Sequence, residues 1–163
     1  MGVAHALTIA AGLRYGTYRY LADDLQVRGA DVEADYALLQ RISLRGTLAG
    51  ETASYSGDGR TPWDGYEAFA LAGVRFDAIA HDSTLPVRPY LALGIGLGVR
   101  HQTYDGTTIP PERTTVAPYL QLAQVGLDLY SDDWLVRGSL GFEGLATSAP
   151  PVWAIVLAAG HRF

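Results

Sequence analysis

The chain has 163 residues, of which 48 % are hydrophobic and only 18 % are charged, and its net charge is −5. This length suits a single domain spanning residues 1–163. The absence of cysteine excludes a disulfide scaffold and a cysteine-based metal site, and the acidic balance gives no basic surface for nucleic acid.

The first part of the chain contains two segments in which apolar residues alternate with small or polar ones. In residues 7–16 the odd positions are Leu, Ile, Ala, Leu and Tyr, and the even positions are Thr, Ala, Gly, Arg and Gly. A period of two predicts a β-strand, and residues 36–48 show the same pattern. Residues 18–32 between them are poorly patterned. Residues 50–65 are rich in Gly, Ser, Asp and Pro, which predicts a loop.

The alternation in residues 66–77 predicts the next strand, which has Ala, Val and aromatic residues on one face and Glu67, Arg75 and Asp77 on the other. A short connection containing His81 follows. Residues 87–100 then form the clearest strand of the chain, because Leu91, Leu93, Ile95 and Leu97 alternate with Ala and Gly. Fourteen residues at roughly 3.3 Å each reach about 45 Å, which is enough to cross a bilayer along a tilted path.

The last third of the chain predicts three more strands. Residues 102–114 read as a loop, and residues 117–130 form a strand whose apolar parity changes, so we expect a β-bulge near Leu122-Ala123. After a tight turn at 131–133, residues 134–143 alternate again. Residues 147–151 form a short loop, and the final strand runs from residue 153 to residue 163.

Seven strands are therefore clear, and a closed antiparallel barrel of the bacterial type requires an even number. The eighth strand must lie between Thr17 and Asp35. The predicted loops alternate in length, with long ones near 50–65 and 102–114 and short ones near 80–86 and 131–133. If the C-terminus lies on the periplasmic side, the long loops are extracellular.

The chain ends in Gly160-His161-Arg162-Phe163, and an alternating apolar strand that closes on a terminal Phe resembles the C-terminal signature of bacterial outer-membrane proteins. His161 stands where that signature usually has an aromatic or aliphatic residue. Together with Pro89-Tyr90-Leu91-Ala92-Leu93-Gly94-Ile95-Gly96, this ending makes the chain similar to the small eight-stranded OmpA, OmpX and opacity-type barrels.

The resemblance implies an all-β, closed, antiparallel up-and-down transmembrane β-barrel of eight strands in the outer membrane of a Gram-negative bacterium. It implies outer-membrane lipids or lipopolysaccharide around the barrel, a monomer, and Phe163 as the signal read by the barrel-assembly machinery during insertion. The first residues have neither a charged segment nor an apolar one of signal-peptide length, so we take a signal peptide to have been removed.

An eight-stranded barrel is just wide enough for side chains to fill its interior. Eight arginines and four acids should face this lumen and pair there, because an unpaired buried charge is costly. The expected lumen residues are Arg14, Arg41, Arg45, Glu67, Arg75, Asp77, Arg88, Arg100, Asp128, Arg137, Glu143 and Arg162. We expect a structural polar plug. A gated ion path is the alternative, and the excess of arginine would then favour anions.

The opposite face of the strands should meet lipid. The expected lipid-facing residues are Leu91, Leu93, Ile95, Leu97, Ile155 and Leu157. Five aromatic residues at predicted strand ends fit the aromatic belts found at membrane interfaces. These residues are Trp63, Tyr66, Tyr130, Trp134 and Trp153.

Two other functions fit parts of the sequence. A soluble lipocalin-like barrel binding a small apolar ligand would turn the same aliphatic residues inward, but would leave an outer surface of Gly and Ala. A lipid A-modifying enzyme of the outer membrane would need a His, a Ser and an acid together. His81 and Ser83 have a suitable spacing but lie in a predicted turn, and His5, His101 and His161 are scattered. We therefore expect no catalysis, no cofactor, no metal and no nucleic-acid partner.

Overall fold

A computed structural model describes residues 6–20, 23–57, 61–104, 111–147 and 151–163, and these form eight β-strands. The strands are β1 (Leu7–Tyr20), β2 (Asp23–Leu39), β3 (Ile42–Ser56), β4 (Trp63–Asp77), β5 (Val87–Tyr104), β6 (Glu112–Ser131), β7 (Trp134–Leu145) and β8 (Val152–Arg162). Within these ranges, no helix is long and apolar enough to cross a membrane.

Every strand pairs antiparallel with the next one along the chain, and β8 pairs back onto β1. The register of this closing pair runs from Thr8 opposite Arg162 to Thr17 opposite Trp153. The result is a closed up-and-down barrel of eight strands, which confirms the predicted architecture. Because a closed sheet has no edge, the backbone groups of each strand are paired within the sheet.

Side chains alternate between the outside and the inside of the barrel along each strand. The expected outer residues of β5 and β8 are all exposed, with Ile95 62 % and Leu157 66 % exposed, whereas Tyr90, Ala92 and Arg100 on the other face of β5 are buried. The aliphatic face is therefore the outer face. This is the reverse of the arrangement that a lipocalin-like barrel requires.

The strand expected between Thr17 and Asp35 is present as β2, which runs on to Leu39, but the strand predicted over residues 36–48 is not continuous. Residues 36–48 are split between two strands, because a two-residue turn at 40–41 separates β2 from β3. Tyr36 pairs with Leu44 across this turn, so both lie on the outer face and the alternation in the sequence continues through the turn. Arg41 lies in the turn and is exposed, so its assignment to the lumen is wrong.

The predicted bulge in β6 is confirmed. Ala92 of β5 pairs with Gln124 of β6, but Gly94 pairs with Gln121, so β6 carries one extra residue around Leu122 and Ala123. The pairing with β7 shifts at the same place. Because of this bulge, Gln121 before it and Gln124 after it both face the interior, although one is odd and the other is even.

The start of β1 and the end of β8 lie at one end of the barrel, which we call the terminal end, and the opposite end is the loop end. Connections 40–41, 78–86 and 132–133 lie at the terminal end. The last is a tight turn in which Asp132 has a left-handed backbone with φ of 55°.

The predicted alternation of loop lengths is wrong. β3 continues to Ser56 and β5 to Tyr104, so the loops that follow them are shorter than expected, and the connection 78–86 at the terminal end is longer than 57–62 at the loop end. Parts of the predicted loops, at 58–60, 105–110 and 148–150, lie outside the described residues, as do residues 1–5 with His5.

A candidate functional site in the charged lumen

The interior of the barrel holds an unusual number of buried charges. In the described part of the chain, six arginines and eight acids are buried. They are Arg14, Arg45, Arg75, Arg88, Arg100 and Arg137, with Asp31, Glu33, Asp35, Glu51, Glu67, Asp77, Asp128 and Glu143. Buried charges must be paired and hydrogen-bonded to be tolerated, so the pairing of these groups determines what the lumen can do.

Arg137 lies at the centre of the larger group of charges and is completely buried, with 0 % exposure. Its Nε and Nη2 donate to the two oxygens of Asp128 at 2.7 and 2.8 Å. Its Nη1 donates to Glu33 at 2.5 Å, and Nη2 also donates to Asp35 at 2.7 Å. The guanidinium of Arg137 on β7 thus binds three carboxylates, two from β2 and one from β6. These hydrogen bonds cross the lumen and connect opposite sides of the barrel.

Two further arginines share these acids. Arg45 donates two hydrogen bonds to the carboxylate of Asp35, from Nε at 2.6 Å and from Nη2 at 2.9 Å. Arg75 donates from Nε to Asp77 at 2.9 Å and from Nη1 to Asp35 at 3.1 Å. We call this group the Arg137 cluster. Its members are Arg45, Arg75, Arg137, Glu33, Asp35, Asp77 and Asp128.

The ring of Tyr90 lies against all three arginines of the Arg137 cluster. The guanidinium carbons of Arg75, Arg45 and Arg137 lie 4.0, 4.7 and 5.2 Å from its centroid. An aromatic face attracts cations, and this attraction strengthens where water is excluded. Tyr90 therefore gives three neighbouring positive charges a common favourable surface in addition to the shared carboxylates.

A second group lies nearer the loop end and is richer in acids. We call it the Arg14 cluster, and its members are Arg14, Arg100, Asp31, Glu51, Glu67 and Glu143. Arg14 pairs with Glu51 at 2.9 Å, with Asp31 at 3.3 Å and with Glu143, and Arg100 pairs with Glu67 at 2.5 Å. Two cations thus face four carboxylates.

Beyond the Arg14 cluster the interior becomes apolar. Inward-facing residues of β2, β3, β4 and β8 pack together at the loop end, and we call them the apolar cap. They are Leu25, Val27, Ala53, Tyr55, Trp63 and Val152. Tyr18 and Tyr104 pack against the cap. Side chains therefore occupy the lumen at successive levels from the Arg137 cluster to the loop end.

The terminal end differs, because it contains a cavity of about 500 Å³, which we call the terminal-end cavity. It reaches Asp35 and Arg75 of the Arg137 cluster and is bordered by His81, Arg88 and Tyr130, among others. The connection 78–86 forms part of its wall. Burial, with Arg75 and Arg88 nearby, outweighs the attraction of Asp77 and lowers the pKa of His81, so this imidazole is neutral near pH 7.

His81 also brings a serine and an acid together, which the sequence did not indicate. Its Nε2 lies 3.2 Å from Ser43 Oγ and 3.5 Å from Asp77 Oδ2. A nucleophile, base and orienting acid need both ring nitrogens, one toward each partner. Here a single nitrogen faces both, so this arrangement does not match a catalytic triad. In the described residues, no group of three His, Cys, Asp or Glu side chains could hold a metal ion.

Most of the lumen residues expected from the sequence lie in the interior. Arg14, Arg45, Glu67, Arg75, Asp77, Arg88, Arg100, Asp128, Arg137 and Glu143 are buried there. Arg162 is half-buried at the rim of the terminal-end cavity, 3.7 Å from Asp133 and over the ring of Tyr130. Arg41 is the exception, because it occupies the exposed turn between β2 and β3.

Sequence reasoning missed half of the buried acids, namely Asp31, Glu33, Asp35 and Glu51. The first three have a regular spacing of two residues, which was the available signal, but the same face of β2 begins with Leu25 and Val27 and so looks unpatterned. With these acids included, the described interior has six arginines and eight acids. The expected excess of arginine, and the anion preference drawn from it, are therefore wrong.

The aromatic residues at strand ends divide into two groups. Tyr66, Trp134 and Trp153 are exposed on the outer face, as an interfacial belt requires. Trp63 and Tyr130 instead point inward, the first into the apolar cap and the second over Arg88 in the terminal-end cavity. Their positions near strand ends did not reveal which face they occupy.

No protein-family model matches the sequence, and no curated protein matches it. Solved structures do match in fold. Ail, the attachment invasion locus protein of Yersinia pestis, is 18 % identical with a TM-score of 0.64, and the match covers 98 % of this chain and 99 % of that one. OprG from Pseudomonas aeruginosa is 10 % identical with a TM-score of 0.62, over 98 % of this chain and 96 % of that one.

Neisserial surface protein A is also similar, at 16 % identity and a TM-score of 0.60, with 99 % of this chain and 98 % of that chain covered. At such identities the similarity concerns the fold and not the sites built on it. The eight antiparallel strands, the closed ring and the nearly complete coverage of both chains agree in each comparison. This chain therefore has the fold of the small eight-stranded outer-membrane β-barrel proteins.

Proposed function

We propose that this chain is an integral β-barrel of the bacterial outer membrane with a structural or surface-interaction role and no enzymatic activity. The observation that carries the proposal is the separation of its two faces. Large aliphatic side chains such as Leu13, Ile95 and Leu157 are exposed around the outside, while the ion-paired charges are buried inside. A soluble monomer rarely exposes a continuous apolar surface of this kind, whereas lipid or lipopolysaccharide would cover it.

The role at the cell surface is proposed from fold and topology. With the terminal end on the periplasmic side, the loop end faces the cell exterior. One protein of the same fold is an attachment invasion locus protein, and an interaction role for this chain rests on that analogy. The barrel is expected to act as a monomer, since the closed ring leaves no strand to pair with a second copy.

The membrane assignment can be tested by electrophoresis. Refolding should require detergent or lipid, and the folded barrel should migrate differently on a gel before and after heating. Both behaviours follow from an outer face that is apolar and a closed sheet that resists detergent at room temperature. A chain that stays folded and monomeric in plain buffer would contradict the assignment.

The lumen is proposed to be a plug and not a channel. The Arg137 cluster, the Arg14 cluster and the apolar cap occupy successive levels of an eight-stranded barrel, which has little interior space to spare. Reconstituted protein in planar bilayers should therefore show at most rare, small conductance steps. Protein whose folding has been verified by heat-modifiable migration should be used, with protein-free bilayers as the control. Steady, large, ohmic currents would overturn the proposal.

Phe163 is proposed to act mainly as a recognition signal for the assembly machinery. Its side chain is 70 % exposed and contacts His161, so packing contributes much less than the roughly 1.5 to 3 kcal/mol of a fully buried side chain. Its backbone exchanges hydrogen bonds with Leu7 at 2.8 and 3.4 Å. Phe163→Ala keeps these backbone bonds and removes only the side chain.

We expect Phe163→Ala to reduce the yield of membrane-inserted protein in cells while refolding into detergent in vitro stays close to that of the parent chain. Trp134→Ala is the matched control, because Trp134 is 65 % exposed at the same end and also packs against His161. If both variants lose the same yield in cells, Phe163 is only a packing residue and the recognition role is wrong.

A further inference from the structure

Arg88 is the one buried arginine of the described interior that forms no ion pair with a described carboxylate. Its Nη2 donates to the backbone oxygen of Ser83 at 3.0 Å, and its guanidinium lies 4.6 Å from the ring centroid of Tyr130. Its Nε is buried and has no hydrogen-bond partner among the described residues. A buried cation with an unsatisfied donor is unfavourable unless a counter-charge is supplied.

The barrel wall explains why Arg88 lacks a partner. Asp128 stands directly opposite it in the pairing of β5 with β6, at a distance where side chains of opposite charge normally interact. The carboxylate of Asp128 is already occupied, because it accepts from Arg137 at 2.7 Å and lies 2.8 Å from Arg75. Arg88 therefore has no ion-pair partner among the described residues, because the carboxylate opposite it, that of Asp128, pairs with Arg137 and Arg75 instead.

Arg88 borders the terminal-end cavity, whose volume of about 500 Å³ lies within the range of small-molecule sites. Arg75 and Arg162 also line this cavity, against Asp35 and Asp82. Asp35 is held by the arginines of the Arg137 cluster, and Arg162 pairs with Asp133 at 3.7 Å. Asp82 is the remaining acidic side chain of the described lining, and no ion pair joins it to Arg88. Arg88 is thus the cation of the described lining that faces the cavity without a paired carboxylate.

We propose that the terminal-end cavity is a binding site for a small organic anion, whose carboxylate or phosphate group pairs with the guanidinium of Arg88. Such a group would give Nε the acceptor it lacks, and two-point pairing with oxyanions suits the planar guanidinium. Ser43 and Gln40 also line the cavity and offer polar contacts to the body of the ligand, and Tyr130 offers an apolar surface. The strands separate this cavity from the apolar exterior, which favours a free anion over a lipid headgroup.

The site can be tested on protein refolded in a nonionic detergent, with inorganic phosphate and acetate as probes. Amide resonances of labelled protein should shift saturably around Ser83, Thr84 and Arg88, with no such effect of chloride at equal ionic strength. Arg88→Gln should weaken phosphate binding about tenfold or more, because a charge-assisted contact is lost. Arg113→Gln is the matched control, since it removes the same charge from an exposed position at the loop end.

Arg88→Gln should refold as well as the parent chain, because no described carboxylate loses a partner. If it does not refold, Arg88→Lys serves instead, and it should bind phosphate more weakly than the parent because a lysine cannot pair through two points. Shifts that do not saturate, or equal binding by the parent and the Arg88 variant, would overturn the proposal. A response to phosphatidylglycerol in mixed micelles without a response to phosphate or acetate would also overturn it, in favour of a lipid headgroup.

Discussion

Arg137→Gln is expected to lower the free energy of unfolding of the barrel by about 3 to 5 kcal/mol, because it removes one partner from a buried, hydrogen-bonded charge network. Arg137 contacts three carboxylates, those of Glu33, Asp35 and Asp128, and all three stay in the interior when it is lost. Arg45 and Arg75 then remain as their described ion-pair partners. The measurement is reversible urea unfolding of the refolded barrel in lipid vesicles, followed by tryptophan fluorescence.

Two controls separate this effect from a general loss of charge. Arg100→Gln should cost less, because Arg100 pairs with Glu67 alone among the described acids. Adding Asp128→Asn to Arg137→Gln should recover part of the loss, since it removes one of the three buried carboxylate charges that lost Arg137 as a partner. Equal losses for Arg137→Gln and Arg100→Gln, with no recovery in the double variant, would show that the network is not what stabilises this barrel.

Ile95→Arg is expected to destabilise the barrel in a bilayer by about 2 to 4 kcal/mol, the cost of an arginine on the lipid face near the membrane midplane. Ile95 is near the middle of β5 (Val87–Tyr104), and its side chain is on the outer face. Stability should be measured by urea unfolding in vesicles, with the parent chain and the variant at the same lipid-to-protein ratio.

The matched control is Thr103→Arg, because Thr103 is exposed on the same face of the same strand near its loop end. An arginine there can reach the interface, so its cost should be about 0 to 1 kcal/mol. If Ile95→Arg is tolerated as well as Thr103→Arg, then no hydrocarbon surrounds β5, and the membrane assignment is wrong.

The strands that the sequence predicts well are those in which one face is uniformly aliphatic. In β5 and β8 every second residue must meet a surface without water, so the pattern is strict and can be read directly. The bulge at Leu122 was also visible, because it shifts that strict pattern by one residue. The fold class follows from this requirement, whereas the count of eight also rested on the even number of strands in a closed bacterial barrel.

The strands, turns and ion pairs that could not be predicted are those in which no face has to be uniformly aliphatic. β2 combines apolar and acidic residues on its inner face, so Leu25 and Asp31 share a side although their chemistry differs. The turn at 40–41 leaves the alternation unbroken, so Arg41 looked like an inner residue. Pairing in the lumen depends on residues far apart in the chain, such as Arg14 and Glu143, and no local pattern specifies it.

The ion pairs that cross the lumen also bear on how the barrel forms. Arg137 contacts Glu33 across 104 positions of chain, and Arg14 contacts Glu143 across 129. Contacts of such high sequence separation form late and slow the overall folding rate. An open sheet in which β8 has not yet met β1 would hold these charges without their partners, so partly closed forms should be sparsely populated. We therefore expect closure of the ring and completion of the network to occur together, in a single cooperative folding transition.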